Sequence, residues 1–313
     1  MKVVFLDSDS LPLSLPVPAW VTDWQDRPDT PAEQVVGAAM HAHVLITNKV
    51  RLGRAELEQL PNLRFICVAA TGYDCIDLAA CRDFGITVSN VPAYSAQSVA
   101  ESVIASIFAL RRQLFAYRQA AQQNWADSRH FCVHREPIQD VQGSVLGIFG
   151  KGAIGLATAR LASSLGMRLL FAEHRGVTSV RQGYQSFETV LAQSDVISLH
   201  CPLTDRTRNL IGAPEFAQMK PGALLINTAR GPLVDEAALL AALERGRLGG
   251  AALGVLCQEP PPADHPLLNS RHPNLIVTPH VAWASQSSLQ RLADGILGNV
   301  QGYYDASPIN VVS

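Results

Sequence analysis

The sequence lacks the features that mark metal-binding, nucleic-acid-binding and membrane-spanning proteins. Its six cysteines form no CxxC pair and no cysteine–histidine ligand spacing, so we expect no metal site. Lysine and arginine (25) nearly balance aspartate and glutamate (27), and no dense basic block occurs, so we expect neither nucleic acid nor membrane as partner. The apolar run before Asp7 is too short for a signal peptide, and the longest apolar helix candidate, at about residues 99–110, is too short to span a bilayer. These absences predict a soluble, cytoplasmic protein.

The length and the hydrophobic pattern predict an α/β protein of two domains. A chain of 313 residues exceeds one typical core, and its 48% hydrophobic and 17% charged residues exclude a disordered chain. Most of the predicted strands are continuous apolar runs, which are typical of parallel strands covered by helices on both faces. Because these strands alternate with helical patterns, we expect two doubly wound parallel sheets. The predicted strands lie at residues 3–7, 43–48, 63–69, 87–90, 144–150, 168–173, 196–200, 223–228, 250–256 and 275–279.

Two segments interrupt this alternation. Residues 11–31 contain five prolines and are expected to form an irregular surface excursion. Residues 95–123 contain neither glycine nor proline and are expected to form one long helix with two adjacent apolar stripes. A helix that is apolar on two faces is typical of a contact between domains or subunits, but an ordinary core helix explains the pattern equally well. The stripes comprise Val99, Val103, Ile107, Leu110, Leu114 and Tyr117, and Ile104, Phe108 and Phe115.

A glycine-rich loop follows the predicted strand at residues 144–150. A GxGxxG pattern alone is weak evidence, but here a strand precedes it, a helix follows it, and the next strand ends in an acid, Glu173. This context predicts a dinucleotide-binding loop, with the phosphates at the helix N-terminus and the ribose hydroxyls at Glu173. A tight strand–helix turn without a ligand is the alternative explanation. The predicted loop residues are Gly150, Lys151, Gly152, Ala153, Ile154 and Gly155.

The residues after this acid bear on the choice of dinucleotide. The Glu173 carboxylate repels a 2′-phosphate and therefore favours NAD(H). His174 and Arg175 follow it directly and could compensate, which would admit NADP(H).

Three ionisable residues follow neighbouring predicted strands in the second half of the chain: Arg230, Glu259 and His280. Each has an ordinary explanation, as a solvated loop charge, a loop surface residue or a hydrogen-bonded structural histidine. Together they suit the reduction of a keto acid, because a guanidinium can bind a carboxylate, an imidazolium can protonate a carbonyl oxygen, and a carboxylate can orient that imidazolium. We therefore expect all three at the ligand-binding edge of one sheet.

The segments at residues 227–236, 258–262 and 278–285, behind the glycine loop, resemble the signatures of the D-isomer-specific 2-hydroxyacid dehydrogenases. Residues 69–77 and 86–92 are similar to the substrate-domain segments of that family, and the glycerate dehydrogenase (hydroxypyruvate reductase) branch is the most similar. The resemblance implies a flavodoxin-like substrate domain, residues 1–98 and 287–313, and a Rossmann NAD-binding domain, residues 99–286. It also implies an active site in the cleft, a homodimer, and a short 2-keto or 2-hydroxy acid as substrate.

The resemblance also assigns roles to single residues. Arg230 binds substrate, Glu259 supports the histidine, and His280 is the acid/base. Backbone N–H groups near Ala70, Thr71 and Gly72 would hold the substrate carboxylate. The residues implied to contact the cofactor, besides the glycine loop, are Val99, Cys201, Pro202, Thr207, Thr228 and Ala229.

One departure from the family pattern leaves two functions open. The family usually has Leu-Asp-Val before the supporting glutamate, where the aspartate accepts a hydrogen bond from the nicotinamide carboxamide, but this chain has Gly254 there. The main hypothesis is an NAD(P)-dependent oxidoreductase acting on hydroxypyruvate/D-glycerate or glyoxylate/glycolate. The alternative is an NAD(H)-binding sensor or corepressor-like scaffold with weak catalysis.

Overall fold

Eleven parallel strands and eleven helices alternate along the chain in the computed structural model, which describes residues 1–313. The strands are β1 (Lys2–Phe5), β2 (Asp23–Asp26), β3 (Val44–Thr47), β4 (Phe65–Val68), β5 (Thr87–Ser89), β6 (Val145–Phe149), β7 (Arg168–Phe171), β8 (Val196–Leu199), β9 (Ala223–Asn227), β10 (Leu248–Leu253) and β11 (Leu275–Val277). The helices are α1 (Val35–Ala39), α2 (Arg54–Leu57), α3 (Leu78–Asp83), α4 (Ala96–Arg111), α5 (Leu114–Asn124), α6 (Ala153–Ser164), α7 (Phe187–Gln193), α8 (Ala213–Gln218), α9 (Glu236–Glu244), α10 (Pro266–Asn269) and α11 (Gln286–Tyr304). No helix combines the length and the apolar character that a membrane crossing requires.

The chain divides into two compact units. Unit 1 comprises Met1–Ser95 and Ala284–Ser313, and unit 2 comprises Ala96–Trp283. The predicted domain boundaries, after residues 98 and 286, stay predictions; the units divide after residues 95 and 283.

Unit 1 is built on a five-stranded parallel sheet in the order β2-β1-β3-β4-β5, which is the flavodoxin-like order. Helix α11, from the far end of the chain, completes it. The Tyr303 ring stacks on Phe65 of β4 with centroids 4.6 Å apart. The buried Asn299 donates to the Asn90 carbonyl at 2.7 Å, and Val312 donates to the Val88 carbonyl at 2.8 Å. The core of unit 1 therefore contains side chains from both ends of the chain.

Unit 2 is built on a six-stranded parallel sheet in the order β11-β10-β9-β8-β6-β7. Gln185 adds a single parallel bridge to Ala172, just beyond β7, on the side away from β6. If that bridge is counted as a reduced third strand, the sheet has the Rossmann strand order. In this order, the direction in which successive strands are added to the sheet reverses between β6 and β8. The predicted fold class, two doubly wound parallel sheets, is confirmed. Every predicted strand is present, with ends shorter or longer by a few residues.

The predictions for residues 11–31 and 95–123 were each wrong in part. The proline-rich segment contains an edge strand, β2, which pairs with β1 alone and has the polar sequence Asp-Trp-Gln-Asp. The segment at residues 95–123 forms two helices, α4 and α5, because Gln113 between them has φ = +54°. There the Arg111 carbonyl accepts a hydrogen bond from Gln139 and its Nε donates to the Asp140 carbonyl. The segment at residues 139–140 thus ends helix α4.

The predicted stripes of this segment are buried to different extents. In the first, Val99, Val103, Ile107 and Leu110 are buried in α4, whereas Leu114 is exposed. In the second, Phe108 and Phe115 are exposed.

Candidate active site

The glycine loop connects β6 to α6, and two of its glycines are required by close backbone contacts. Gly150 has φ = +109°, and a Cβ there would lie 2.6 Å from the His200 carbonyl carbon. At Gly155, a Cβ would lie 2.1 Å from the Gly150 carbonyl oxygen. The first glycine therefore makes the turn, and the second allows α6 to pack against the loop.

The loop also has the properties that a bound pyrophosphate needs. A Cβ at Gly152 would meet no atom within 4 Å, so the space in front of this residue is open. Gly152 is the N-cap of α6, and the first N–H groups of a helix have no acceptor within the helix. The loop residues therefore fit a dinucleotide. Lys151 lies over two aromatic rings, with Nζ 4.6 Å from the Phe171 centroid and 4.8 Å from that of Tyr184.

Glu173, just after β7, is already bound by another side chain. Arg181 donates to both carboxylate oxygens, from Nε at 2.6 Å and Nη2 at 2.7 Å. The backbone N–H groups of His174 (2.8 Å) and Arg181 (3.3 Å) also donate to this carboxylate. These bonds, with those to Arg181 the strongest, lower the pKa of Glu173 to about 2. Arg181 was not predicted from the sequence, because nothing in the pattern of a loop indicates which arginine folds back onto a strand end.

The two residues after Glu173 are placed differently from each other. The His174 side chain is exposed, whereas Arg175 forms an ion pair with the buried Glu215 at the start of α8. The other oxygen of Glu215 accepts from the Gly212 N–H at 2.9 Å, and the Arg175 guanidinium lies over the Phe187 ring. Arg175 therefore supports α8.

Arg230 lies in a short turn after β9 that one buried side chain holds. Asn227, the last residue of β9, donates from Nδ2 to the Arg230 carbonyl at 2.8 Å and accepts from the Ala229 N–H at 3.1 Å. A Cβ at Gly231 would lie 2.0 Å from the Leu256 carbonyl carbon, so the turn packs directly against the backbone that leads to Glu259. This contact requires glycine. Asn227 is a second residue that the sequence analysis did not single out.

Glu259 and His280 form a hydrogen-bonded pair. His280 Nδ1 lies 2.8 Å from Glu259 Oε2, and Glu259 Oε1 accepts from the Leu256 N–H at 3.1 Å. Because a carboxylate only accepts, we assign the ring proton to Nδ1, which directs Nε2 away from the pair. The backbone of His280 has φ = +55°, and its carbonyl accepts from the Trp283 indole at 2.8 Å. This unusual conformation is therefore held from two sides.

The sheet order explains why these residues share an edge. Strands β9, β10 and β11 are adjacent and parallel, and Arg230, Glu259 and His280 follow their carboxyl ends. The structure thus places the three predicted residues on the edge where parallel sheets bind ligands.

Gly254 lies directly after β10 and beside Thr228. A Cβ at Gly254 would lie 3.3 Å from Thr228 Cγ2 and 3.5 Å from its Cα. The Thr228 hydroxyl is buried and has no hydrogen-bond partner within the chain. An acceptor is therefore missing at the position where the family pattern has an aspartate.

The remaining predicted residues lie on the loops of their own units. In unit 2, the Cys201 N lies at the glycine loop, 2.7 Å from where a Gly150 Cβ would be, and the Thr207 hydroxyl donates to the Pro202 carbonyl at 2.7 Å. Val99 is buried in α4. In unit 1, Ala70, Thr71 and Gly72 follow β4.

Two hydrogen bonds fix the segment after β4. Asn90 donates from Nδ2 to the Thr71 carbonyl at 2.7 Å, and Val91 N–H donates to the Ala70 carbonyl at 3.0 Å.

Comparison with known proteins shows the relationship directly. Residues 104–282 match the model of the NAD-binding domain of the D-isomer-specific 2-hydroxyacid dehydrogenases. A glycerate dehydrogenase of Methylorubrum extorquens is 44% identical, and the match covers 99% of this chain and 98% of that protein. A hydroxypyruvate reductase of Blautia hydrogenotrophica is 35% identical over 91% of this chain and 89% of its own. Among solved structures, an acyclic imino acid reductase in complex with NADPH and D-Arg superposes with a TM-score of 0.84, at 27% identity and full coverage of both chains.

Proposed function

This chain belongs to the family of D-isomer-specific 2-hydroxyacid dehydrogenases, and from that premise we propose that it interconverts a short 2-keto acid and its 2-hydroxy acid. The first candidates are hydroxypyruvate/D-glycerate and glyoxylate/glycolate. The observation that carries the proposal is the Glu259–His280 pair at the same sheet edge as Arg230. A bound nicotinamide dinucleotide supplies or accepts the hydride at the substrate C2. The names of the two relatives support the first candidate pair.

His280 is the proposed proton donor and acceptor. Its Nδ1 is held by Glu259, so Nε2 is the nitrogen that can protonate a substrate carbonyl oxygen during reduction and remove a hydroxyl proton during oxidation. Glu259 is itself fixed by the Leu256 N–H, so it cannot rotate away without losing a second hydrogen bond. The carboxylate thus positions the imidazole.

Arg230 is the proposed substrate-binding cation. A guanidinium can bind a carboxylate through two parallel N–H groups and polarise an adjacent carbonyl, which a lysine does poorly. The Asn227 bonds to the turn fix the backbone from which this side chain extends. The N–H groups near Ala70, Thr71 and Gly72 are further proposed ligands of the substrate carboxylate.

The proposed cofactor ligands are the residues of the glycine loop, with Val99, Cys201, Pro202, Thr207, Thr228 and Ala229 beside them. A free carboxylate at Glu173 would repel a 2′-phosphate and so favour NAD(H). Because Arg181 neutralises that carboxylate, repulsion by Glu173 no longer separates the two dinucleotides.

The test follows NADH and NADPH oxidation at 340 nm with hydroxypyruvate, glyoxylate and pyruvate. We expect turnover by the wild type and a loss of about 100-fold or more in His280→Ala, since general acid–base catalysis contributes about 10²–10⁴-fold. His41→Ala, which removes an exposed histidine of unit 1, is the matched control. No turnover on any of these acids, or equal rates in the wild type and His280→Ala, would contradict the proposal.

The sensor or scaffold alternative draws its support from Gly254, which removes an expected nicotinamide contact. It predicts tight dinucleotide binding with no keto-acid turnover in the wild type. A fixed glutamate–histidine pair has no use in a protein that only binds, so we favour the enzyme.

We further propose that the chain forms a homodimer through unit 2. Large apolar side chains of α5 and the loop after it are exposed, among them Phe131 at 90% exposure. Such a group is typical of a protein–protein contact. Light scattering coupled to size exclusion should give twice the monomer mass; a monomer at micromolar concentration would refute it. The exposed residues are Leu114, Phe115, Trp125, Phe131 and Ile138.

A further inference from the structure

We propose that Arg181 selects the dinucleotide, by binding the 2′-phosphate of NADP(H) at the end of β7. This inference rests on the proposed function only in requiring that the chain bind a dinucleotide. It predicts that the site binds NADPH at least as tightly as NADH, although an acid stands at the strand end.

The first observation is that Glu173 has no free capacity to bind a ribose. A carboxylate offers about four lone-pair sites. Arg181 takes two of them through Nε and Nη2, and the N–H groups of His174 and Arg181 take two more. The Glu173 residue is only 3% exposed. This carboxylate could accept hydrogen bonds from the ribose hydroxyls only after Arg181 had been displaced.

The second observation is that the exposed group at this position is a cation. The Arg181 side chain is 57% exposed, and two of the five guanidinium N–H donors are used by Glu173, so three remain. A planar guanidinium with free N–H groups suits the oxygens of a phosphate. Glu173 therefore acts as a positioning residue that holds the guanidinium at the strand end.

The third observation is that two cations, Arg181 and Lys151, lie over the ring of Tyr184. The Arg181 Cζ lies 4.2 Å from the Tyr184 centroid, and Lys151 Nζ lies 4.8 Å from it. Lys151 belongs to the glycine loop, where the phosphates of a dinucleotide are expected. Glu173, Arg181 and Lys151 together carry one net positive charge, which attracts the phosphate dianion of NADP(H).

The turn that presents Arg181 is fixed by the backbone. Tyr184 N–H donates to the Arg181 carbonyl at 3.1 Å, and Gly183 in the turn has φ = +79°. The next residue, Gln185, forms the parallel bridge to Ala172. The guanidinium is therefore held close to its bound position before the ligand arrives, which lowers the entropy cost of binding.

Arg175, the arginine that follows Glu173 in sequence, is committed elsewhere. Its ion pair with the buried Glu215 supports α8, and leaving that pair would strand a buried carboxylate. The structure thus favours Arg181 over Arg175 as the phosphate ligand.

The experiment measures dissociation constants of NADPH and NADH by calorimetry, with adenosine 2′,5′-bisphosphate and AMP as the matching fragments. In Arg181→Ala we expect NADPH and the bisphosphate to bind about tenfold or more weakly, and NADH and AMP to change by less than about threefold, since a charge-assisted contact to one phosphate is lost. Arg168→Ala, which removes an exposed arginine at the opposite end of β7, is the control and should leave all four constants unchanged. Glu173→Gln should weaken NADH by less than about threefold, because its carboxylate does not bind the ribose.

Three results would overturn the inference. The first is a wild type that binds NADH more tightly than NADPH, or binds neither. The second is an equal loss of affinity for both dinucleotides in Arg181→Ala, and the third is a loss of NADPH affinity in Arg175→Ala without one in Arg181→Ala. Binding does not depend on keto-acid turnover. NADPH binding that depends on Arg181, without keto-acid turnover, would refute the proposed function alone. Turnover, together with a ratio of NADPH to NADH dissociation constants that is the same in Arg181→Ala as in the wild type, would refute this inference alone.

Discussion

Gly254→Asp is the change whose effect can be worked out most fully from the structure. It would restore the carboxylate that the family pattern places beside the nicotinamide. A Cβ at this position would lie 3.3–3.6 Å from Thr228, so that side chain must move by a few tenths of an ångström. The Gly254 N–H continues the sheet by donating to the Asn227 carbonyl at 2.8 Å, and this bond is retained in any substitution other than proline.

Two opposing effects follow from this geometry. Crowding against Thr228 costs about 1–3 kcal/mol of stability, which corresponds to a few degrees in Tm. A new hydrogen bond between a carboxylate and the carboxamide is worth about 1.5–3 kcal/mol, or roughly tenfold to hundredfold in rate. We therefore expect Gly254→Asp to reduce hydroxypyruvate faster than the wild type while melting at a lower temperature.

Gly254→Ala separates the two effects, because it adds the same Cβ without the carboxylate. Both variants should show a similar loss of Tm by scanning fluorimetry, and only Gly254→Asp should gain kcat/KM at 340 nm. Equal or lower activity in Gly254→Asp than in Gly254→Ala would refute the reasoning. Nicotinamide orientation would then not depend on this position.

Three further predictions address the pair, the glycine loop and pH. Glu259→Gln should lower kcat/KM for keto-acid reduction about tenfold to hundredfold with an unchanged dinucleotide dissociation constant, because the amide cannot accept from both His280 and the Leu256 N–H without a mismatch. Gly155→Ala places a Cβ 2.1 Å from a backbone oxygen, so we expect a lower Tm and a weaker stabilisation by NADPH; an unchanged melting curve would contradict this. Burial lowers the pKa of His200 from 6.5 to about 4, so the folded state binds fewer protons than the unfolded state between these values. The free energy of unfolding is therefore unaffected by His200 above pH 6.5 and falls by at most about 3 kcal/mol as the pH approaches 4. Urea unfolding at pH 7 and pH 4.5 should show that the free energy of unfolding falls less in His200→Gln than in the wild type.

The strands and the sheet class were predictable because buried parallel strands need continuous apolar runs. Strand β2 was missed since it lies at the sheet edge, pairs with β1 alone, and contains two aspartates. The break at Gln113 was missed for a different reason. No glycine or proline marks it, and the contacts that end α4 come from Gln139 and Asp140, far along the chain.

The site residues that follow a strand could be predicted from the sequence. A site residue whose position depends on the path of a loop could not. The resemblance to a family predicted a glutamate–histidine pair, and the structure places Glu259 2.8 Å from His280. No pattern indicated that Arg181, eight residues after Glu173, would neutralise it, because the path of a loop depends on its tertiary contacts. The expected role of Glu173 changes with that one contact.

The discontinuity of unit 1 has a consequence for how the protein is made. Its sheet includes residues that precede unit 2 in the chain, whereas Asn299 and Tyr303, which cover Phe65 and the end of β5, emerge from the ribosome only after unit 2. At about 5–20 residues per second, the roughly 200 residues between them take on the order of 10–40 s to synthesise. Unit 2 is continuous, so it can fold during that interval, while the nascent unit 1 exposes apolar surface that chaperones recognise. Synthesis therefore imposes an order in which the domain that begins first is completed last.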